Sequence, residues 1–321
     1  MQSYPWAEGD EFRAQLPDFT HLTAELPAAC KAYQKFYKFQ FKVPHVYHMG
    51  RFRSGAFDLV GQIFLPKNHR GILFIYHGYF DHLGLYEFPI RLGLELGLAV
   101  IAFDLPGHGL SSGPAASISC FSDYAKAQKK FISLCNSVSQ LQQGPRFALG
   151  QSTGAAVILD AVLSQSVPKS ELYYPNGVIL LAPLLRVANW YRVRLLYQIL
   201  RHQGGTVRTF QNNSSNVEFV TFLSEADPMQ HRRIEAPWVG AMIRYTKRIV
   251  QSAPVDTRAL ILQGDLDKTV DFPYNVPKLR SLLSQAHVVM LEGARHHLVN
   301  EIEEYRQRIG FEVKRFINEN I

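Results

Sequence analysis

The chain is poor in cysteine and has no apolar run long enough to cross a bilayer. Its 321 residues include three cysteines, Cys30, Cys120 and Cys135, an odd number without CxxC spacing. That pattern argues against a disulfide framework or a thiolate metal site and leaves packed, reduced thiols. A membrane-spanning helix needs about 20 consecutive apolar residues, and no segment is uniformly apolar over that length. The first residues, MQSYPWAEGDEF, show no basic stretch followed by an apolar run. No secretory signal is therefore expected, and the reading is a cytoplasmic protein. Internal repeats and low-complexity tracts are missing as well.

What is present is material for a large core, with 47% hydrophobic, 12% aromatic and 19% charged residues. The length exceeds the usual single domain, but α/β folds reach roughly 200–250 residues as one unit, so one core plus one insertion is the simplest organisation. The formal net charge of +7 raises two possibilities, nucleic acid or an anionic membrane surface. Residues 184–251 hold ten Arg and Lys against four acids and so supply +6 of that charge. The excess is a local patch, which turns the expectation from nucleic acid toward a lipid surface.

Short apolar runs alternate with longer amphipathic stretches, the signature of βαβ units and a largely parallel sheet. Strands are expected at Phe57–Leu65, Gly71–Tyr76, Leu98–Phe103, Phe147–Leu149, Gly177–Leu181, Ala259–Gln263 and Val288–Leu291. Helices are expected between them, at Leu83–Leu96, Ser119–Leu141, Thr153–Ser164, Pro273–Ser284 and Glu301–Asn318. Residues 1 to about 50 read as a helical or irregular extension. The interval 184–251 is too long for one crossover helix and reads as an inserted helical cap, with residues 1–183 and 252–321 forming the core.

The strongest local signal is Gly150-Gln151-Ser152-Thr153-Gly154, directly after an apolar run and directly before a helix former. This is G-x-S-x-G in its strand, turn and helix context, where the glycines allow a strained turn that exposes the serine oxygen. Ser152 is thus the candidate nucleophile. A serine needs a base and an orienting acid, expected in the order Ser, acid, His. Three aspartates compete for the acid, Asp265, Asp267 and Asp271, and two histidines, His296 and His297, for the base. All lie at carboxyl ends of expected strands, where open α/β sheets gather ligand-contacting groups. The oxyanion needs backbone donors, for which the N–H groups of Tyr79, in the loop His77-Gly78-Tyr79, and of Thr153 are the candidates. His77 reads as a residue that shapes this loop.

Taken together, His77-Gly78-Tyr79, Phe103 to Ser111, the Gly150 to Gly154 elbow, Leu181-Ala182-Pro183, Gly264 to Val270 and Gly293-Ala294-Arg295-His296 resemble the α/β-hydrolases grouped with monoacylglycerol lipases and bacterial lysophospholipases. The resemblance covers most of the chain from about Phe57 onward. It implies that the acid is Asp267 and the base His296, since the family places each third after a glycine, here Gly264 and Gly293. By the same resemblance Asp104, His108 and Asp227 are structural. The elbow departs from the family's frequent His-Ser-Met-Gly, having Gln151-Ser152-Thr153-Gly154, so acyl preference does not carry over.

The cap opens with Leu184 to Arg201, apolar and aromatic but carrying arginines. On a continuous helix Arg186, Arg194 and Arg201 would form a basic stripe, with Arg192 on the other side. Such a helix can lie in a membrane interface, or pack on the core with its arginines in water. The expected function is hydrolysis of carboxylic esters of single-chain lipids, monoacylglycerols or lysophospholipids, with no metal or organic cofactor required. Alternatives are a peptidase or amidase of the same fold, or a partner-binding protein without turnover.

Overall fold

In the computed structural model of the chain, residues 4–7, 9–164, 176–202, 204–210 and 212–321 are described. Eight strands form the central sheet: β1 (His45–Ser54), β2 (Phe57–Pro66), β3 (Ile72–Tyr76), β4 (Ala99–Phe103), β5 (Arg146–Gln151), β6 (Gly177–Leu181), β9 (Val255–Gly264) and β10 (Leu283–Leu291). Their order is β1-β2-β4-β3-β5-β6-β9-β10, antiparallel at β1–β2 and β2–β4 and parallel elsewhere. This is the α/β-hydrolase architecture, a mostly parallel sheet flanked by helices.

The inner strands β3, β4 and β6 are apolar along their whole length because both faces are covered. β3 sends Ile72, Phe74 and Tyr76 into one core and Leu73 and Ile75 into the other. The first core is closed by α4 (Phe121–Ser137), α5 (Thr153–Leu163) and α8 (Ala236–Ile249), the second by α3 (Glu87–Glu95), α10 (Glu303–Asn318) and the N-terminal arm. Phe131 of α4 shows how tightly the layers fit, since its ring lies 4.6 Å from that of Phe103, 5.0 Å from Phe19 and 5.4 Å from Phe52. Truncating such a ring to alanine costs about 3–5 kcal/mol.

The N-terminal arm differs from expectation. It carries α1 (Asp10–Gln15) and α2 (Ala28–Phe36), but from His45 onward it is the edge strand β1, which turns through Gly55, at φ 59°, into β2. An edge strand shows one side to water, and His45, Arg51 and Arg53 dilute the apolar alternation that would have marked it. Tyr4, Trp6, Tyr33, Phe36 and Tyr37 of the arm form an aromatic cluster that reaches Phe222.

Between β6 and β9 lie α6 (Trp190–Leu200), α7 (Val217–Glu225) and α8, together with a two-stranded ribbon, β7 (Gly205–Val207) against β8 (Arg233–Glu235). The segment is therefore not all helical as expected. Nor does its first helix begin at Leu184. Asn189 adopts a left-handed conformation, φ 55°, and α6 starts only at Trp190. Arg186 consequently lies outside the helix, its guanidinium stacked 3.3 Å from the Tyr274 ring centroid, so the expected three-arginine stripe does not form. The remaining helix, α9 (Phe272–Leu282), runs directly into β10. No helix among the described residues is long and apolar enough to cross a membrane.

Candidate active site

The loops after β3, β5, β9 and β10 all leave the sheet at the carboxyl ends of parallel strands, and they converge. The turn after β5 is the most constrained. Ser152 adopts φ 52°, ψ −108°, a conformation that L-residues avoid, and its N–H is held by Leu181 O at 2.8 Å. Only glycine fits at position 154, where a Cβ would stand 1.9 Å from Tyr76 O. That close approach sets the elbow directly against the end of β3.

The three residues singled out in the sequence meet here. His296 Nε2 lies 3.0 Å from Ser152 Oγ, and His296 Nδ1 lies 2.8 Å from Asp267 Oδ2. With the Nδ1 proton directed at the carboxylate, Nε2 is left to accept the serine proton. Asp267 receives three further hydrogen bonds, from Gln263 Nε2 at 2.9 Å and from the main-chain N–H groups of Thr269 at 2.7 Å and Val270 at 3.1 Å. Burial alone would raise its pKa, but His296 and these donors outweigh that and hold it below the usual carboxylate range.

The competing residues have other partners. Asp265 Oδ1 accepts the Gly293 N–H at 2.7 Å and braces the turn before His296. Asp271 precedes α9, and its main-chain N–H donates to Arg186 O at 2.9 Å. His297 Nε2 pairs with Asp81 Oδ1 at 3.0 Å. His77 Nε2 accepts the Leu105 N–H at 2.8 Å, and burial lowers its pKa, as suits a neutral residue that shapes the loop. Asp104 ties Leu83 N–H and Leu110 N–H, both at 2.8 Å, and His108 Nδ1 binds Pro106 O at 2.9 Å. Asp227 is buried against Tyr37 Oη and His82 Nε2, each at 2.9 Å.

Around the expected oxyanion donors, the Gly78 N–H is taken by Tyr86 Oη at 2.8 Å, whereas no loop or turn contact among the described residues engages the N–H of Tyr79 or Thr153. Thr153 opens α5, where main-chain N–H groups have no partner within the helix. The Tyr79 side chain is fixed away from them, its Oη on Ala116 O at 2.8 Å and its ring stacked on Trp238 at 3.7 Å.

Sequence reading assigned no role to Gln151 beyond a departure from the family pattern. Its Nε2 donates to His296 O at 2.8 Å and anchors the base loop to the elbow. Gln263 and Asp81 were likewise missed. Their partners lie across turns or far along the chain, and no local motif encodes them.

A cleft of ≈ 350 Å³ opens over Ser152, with an apolar wall that includes Leu184, Val187, Val193, Trp238, Val239 and Met242. All of these come from the segment between β6 and β9. The wall is suited to an apolar group, and Ser152 and His296 line the same cleft.

The chain is similar in sequence and in fold to known hydrolases. Over 261 residues the chain is 25% identical to a monoglyceride lipase homolog of Monkeypox virus, covering 77% of this chain and 89% of that protein. It is 24% identical over 245 residues to phospholipase YtpA of Bacillus subtilis, covering 72% and 90%. A soluble variant of monoglyceride lipase from Saccharomyces cerevisiae, solved in complex with a substrate analog, superposes with a TM-score of 0.72 at 17% identity, covering 88% of this chain and 98% of that one. Residues 67–303 match the hydrolase family described as serine aminopeptidase, S33, and the chain belongs to that α/β-hydrolase family.

Proposed function

We propose that the chain is a carboxylic-ester hydrolase of single-chain lipids, monoacylglycerols or lysophospholipids, working through an acyl-enzyme on Ser152. The observation that carries this reading is the relay from Ser152 Oγ to His296 Nε2 at 3.0 Å and from His296 Nδ1 to Asp267 at 2.8 Å, opening on an apolar cleft. Ser152 attacks the ester carbonyl as His296 takes its proton, and the N–H groups of Tyr79 and Thr153 receive the oxyanion. His296 then gives that proton to the leaving alcohol, and Asp267 stabilises the imidazolium. Water, deprotonated by His296, releases the fatty acid and restores Ser152.

Residues 184–251 act as the cap, and the outer face of α6 is the surface offered to a membrane. Trp190 is buried and Val193 and Tyr197 are half-buried, while Tyr191, Leu195 and Ile199 point outward at 76%, 64% and 62% exposure. Arg192 lies on that outward face and Arg194 on its flank, both exposed, in reach of anionic headgroups.

The family description keeps an aminopeptidase reading in view. Such an enzyme needs a carboxylate for the substrate's ammonium, and the one carboxylate among the described residues lining the cleft, Asp81, is already paired with His297. The deciding experiment sets a panel of lipid esters against aminoacyl amides, with Ser152→Ala as control. Esters should be cleaved and amides not, and the variant should lose on the order of 10⁶ in kcat while remaining folded. Faster turnover of the amides, or near-normal turnover by folded Ser152→Ala, overturns the reading.

A further inference from the structure

Two cavities meet at His296. The apolar one reaches Ser152, and the second, ≈ 480 Å³, is lined by His296 but not by Ser152. His296, which in the reaction above hands a proton to the leaving alcohol, lines both cavities, so an alcohol leaving beside Ser152 has the second cavity within reach of the same imidazole. Its polar lining is Asn189, Asn212, Asn213, Thr269, Lys268 and Arg295, with a single apolar residue, Leu266.

The charge there is of one sign. No carboxylate lines this cavity among the described residues. The nearby acids are all engaged: Asp267 by His296, Asp265 by the Gly293 N–H, and Glu301 by the N–H groups of Arg295 and Ser215, both at 2.8 Å. Arg295 donates Nη1 to Asn212 O at 2.9 Å, and its buried Nε meets no acceptor. Neither Arg295 nor the exposed Lys268 has an ion pair among the described residues. Arg208, on the wall of the main cleft and 4.0 Å from the Phe80 ring centroid, adds a third cation without a carboxylate partner. Arg208 and Arg295 are half-buried, where charges are ordinarily paired, and an anion would complement them.

We propose that this cavity binds a phosphate-bearing headgroup, which makes anionic or phosphodiester lysolipids the substrate class, with Lys268 and Arg295 as the headgroup's partners. This rests on the ester-hydrolase reading and narrows it. Amide donors and two cations complement phosphate oxygens through charge-assisted hydrogen bonds, whereas a bare glycerol would leave both cations unpaired. The phosphate is a spectator. The acyl C–O bond breaks, the leaving oxygen takes the His296 proton, and water supplies the hydroxyl of the released acid.

The test uses hexanoyl esters of glycerol, of glycerol 3-phosphate and of glycerophosphocholine, all kept monomeric so that surface attraction plays no part. The intact protein should favour the two phosphate-bearing esters over the glycerol ester by about tenfold in kcat/KM. Lys268→Gln with Arg295→Gln should bring that ratio to about one, and Lys268→Arg with Arg295→Lys should retain it. Because each ratio is taken within one variant, the fraction folded cancels. Inorganic phosphate should compete only weakly at the concentrations where the phosphate esters saturate. Equal or better cleavage of hexanoylglycerol, or a ratio untouched by the Gln changes, overturns the headgroup assignment and leaves ester hydrolysis standing. Strong inhibition by inorganic phosphate without a preference among the esters overturns it in favour of a free-phosphate site. Failure to cleave any ester while aminoacyl amides turn over removes the underlying reading and this one with it.

Discussion

Replacing Asp267 by asparagine tests the relay at its most constrained point. In the native site Oδ1 sits between the N–H groups of Thr269 and Val270, at 2.7 and 3.1 Å. Oδ2 sits between Gln263 Nε2, at 2.9 Å, and His296 Nδ1, at 2.8 Å. An asparagine must keep its oxygen toward the two main-chain donors, so its amide nitrogen takes the Oδ2 place and faces two more donors. His296 then relieves the clash by presenting the Nδ1 lone pair and carrying its proton on Nε2, the tautomer that cannot accept from Ser152. The same substitution costs about 10⁴ in kcat in serine proteases, which at 1.36 kcal/mol per decade is about 5.5 kcal/mol. Asp265→Asn removes a partner only from the Gly293 N–H, worth about 1 kcal/mol, and should cost less than about tenfold. The assay is steady-state kcat on a soluble short-chain ester, with thermal melts to show that each variant is folded. A loss below about a hundredfold at Asp267, or a comparable loss at Asp265, would refute the assignment.

Three further outcomes follow from the same contacts. Gln151→Met removes the 2.8 Å hydrogen bond to His296 O and should lower kcat about tenfold with KM unchanged; a drop in melting temperature alone would make Gln151 merely structural. Burial lowers the His82 pKa, but Asp227 outweighs it and raises the folded value, and the pair in turn lowers that of Asp227 against the upward push of burial. Their contribution is thus fully present between the ordinary carboxylate and imidazole values, about 4 and about 6.5, and is lost as pH rises through the raised His82 pKa or falls through the lowered Asp227 pKa. Melting temperature against pH should therefore decline above about pH 6.5, and His82→Gln should flatten that decline. Leu195→Ser with Ile199→Ser, both on the exposed face of α6, should weaken sedimentation with anionic vesicles by about a hundredfold, since each buried side chain is worth at least about 1.5 kcal/mol. Arg192→Gln with Arg194→Gln should remove the salt-sensitive part, about 1 kcal/mol per charge, and unchanged binding in both variants would detach this face from the membrane.

How much of this was legible in the sequence depends on where each residue's partners lie. The inner strands β3, β4 and β6 were readable because both faces are buried and nothing polar interrupts them. β1 was hidden because Arg51 and Arg53 stand at exposed positions and histidines, half-buried His45 and buried His48, break the apolar alternation. The elbow could be read locally, since Gly150, Ser152 and Gly154 satisfy one turn. Asp267 and His296 could be chosen over their neighbours only through the family resemblance, because hydrogen bonds between residues 29 apart leave no spacing rule. The α6 stripe failed for a local reason. A left-handed Asn189 cannot be seen in a helical projection, and moving the helix start from Leu184 to Trp190 removes Arg186 and turns an apolar ridge to solvent.

The adjacent histidines show what the structure adds to the chemistry. His296 and His297 follow one another in the chain, and each has its own acid, Asp267 for the first and Asp81 for the second. Asp81 belongs to the loop after β3. Its other oxygen, Oδ2, accepts the Gly78 N–H at 3.2 Å and the Tyr86 hydroxyl at 2.9 Å, one residue before the proposed oxyanion donor Tyr79. Burial would push the Asp81 pKa up, but His297 and these donors hold it well below the usual range, so the carboxylate stays ionised. The base loop and the oxyanion loop are therefore joined by a second carboxylate–imidazole pair. In the proposed mechanism the first pair would set the tautomer of the base, and the second would set the distance between the base and the donor that must meet the same tetrahedral intermediate. A catalytic geometry tight to a few tenths of an ångström needs both loops fixed to each other as well as to the sheet, and in the proposed mechanism the neighbouring histidines would divide that work.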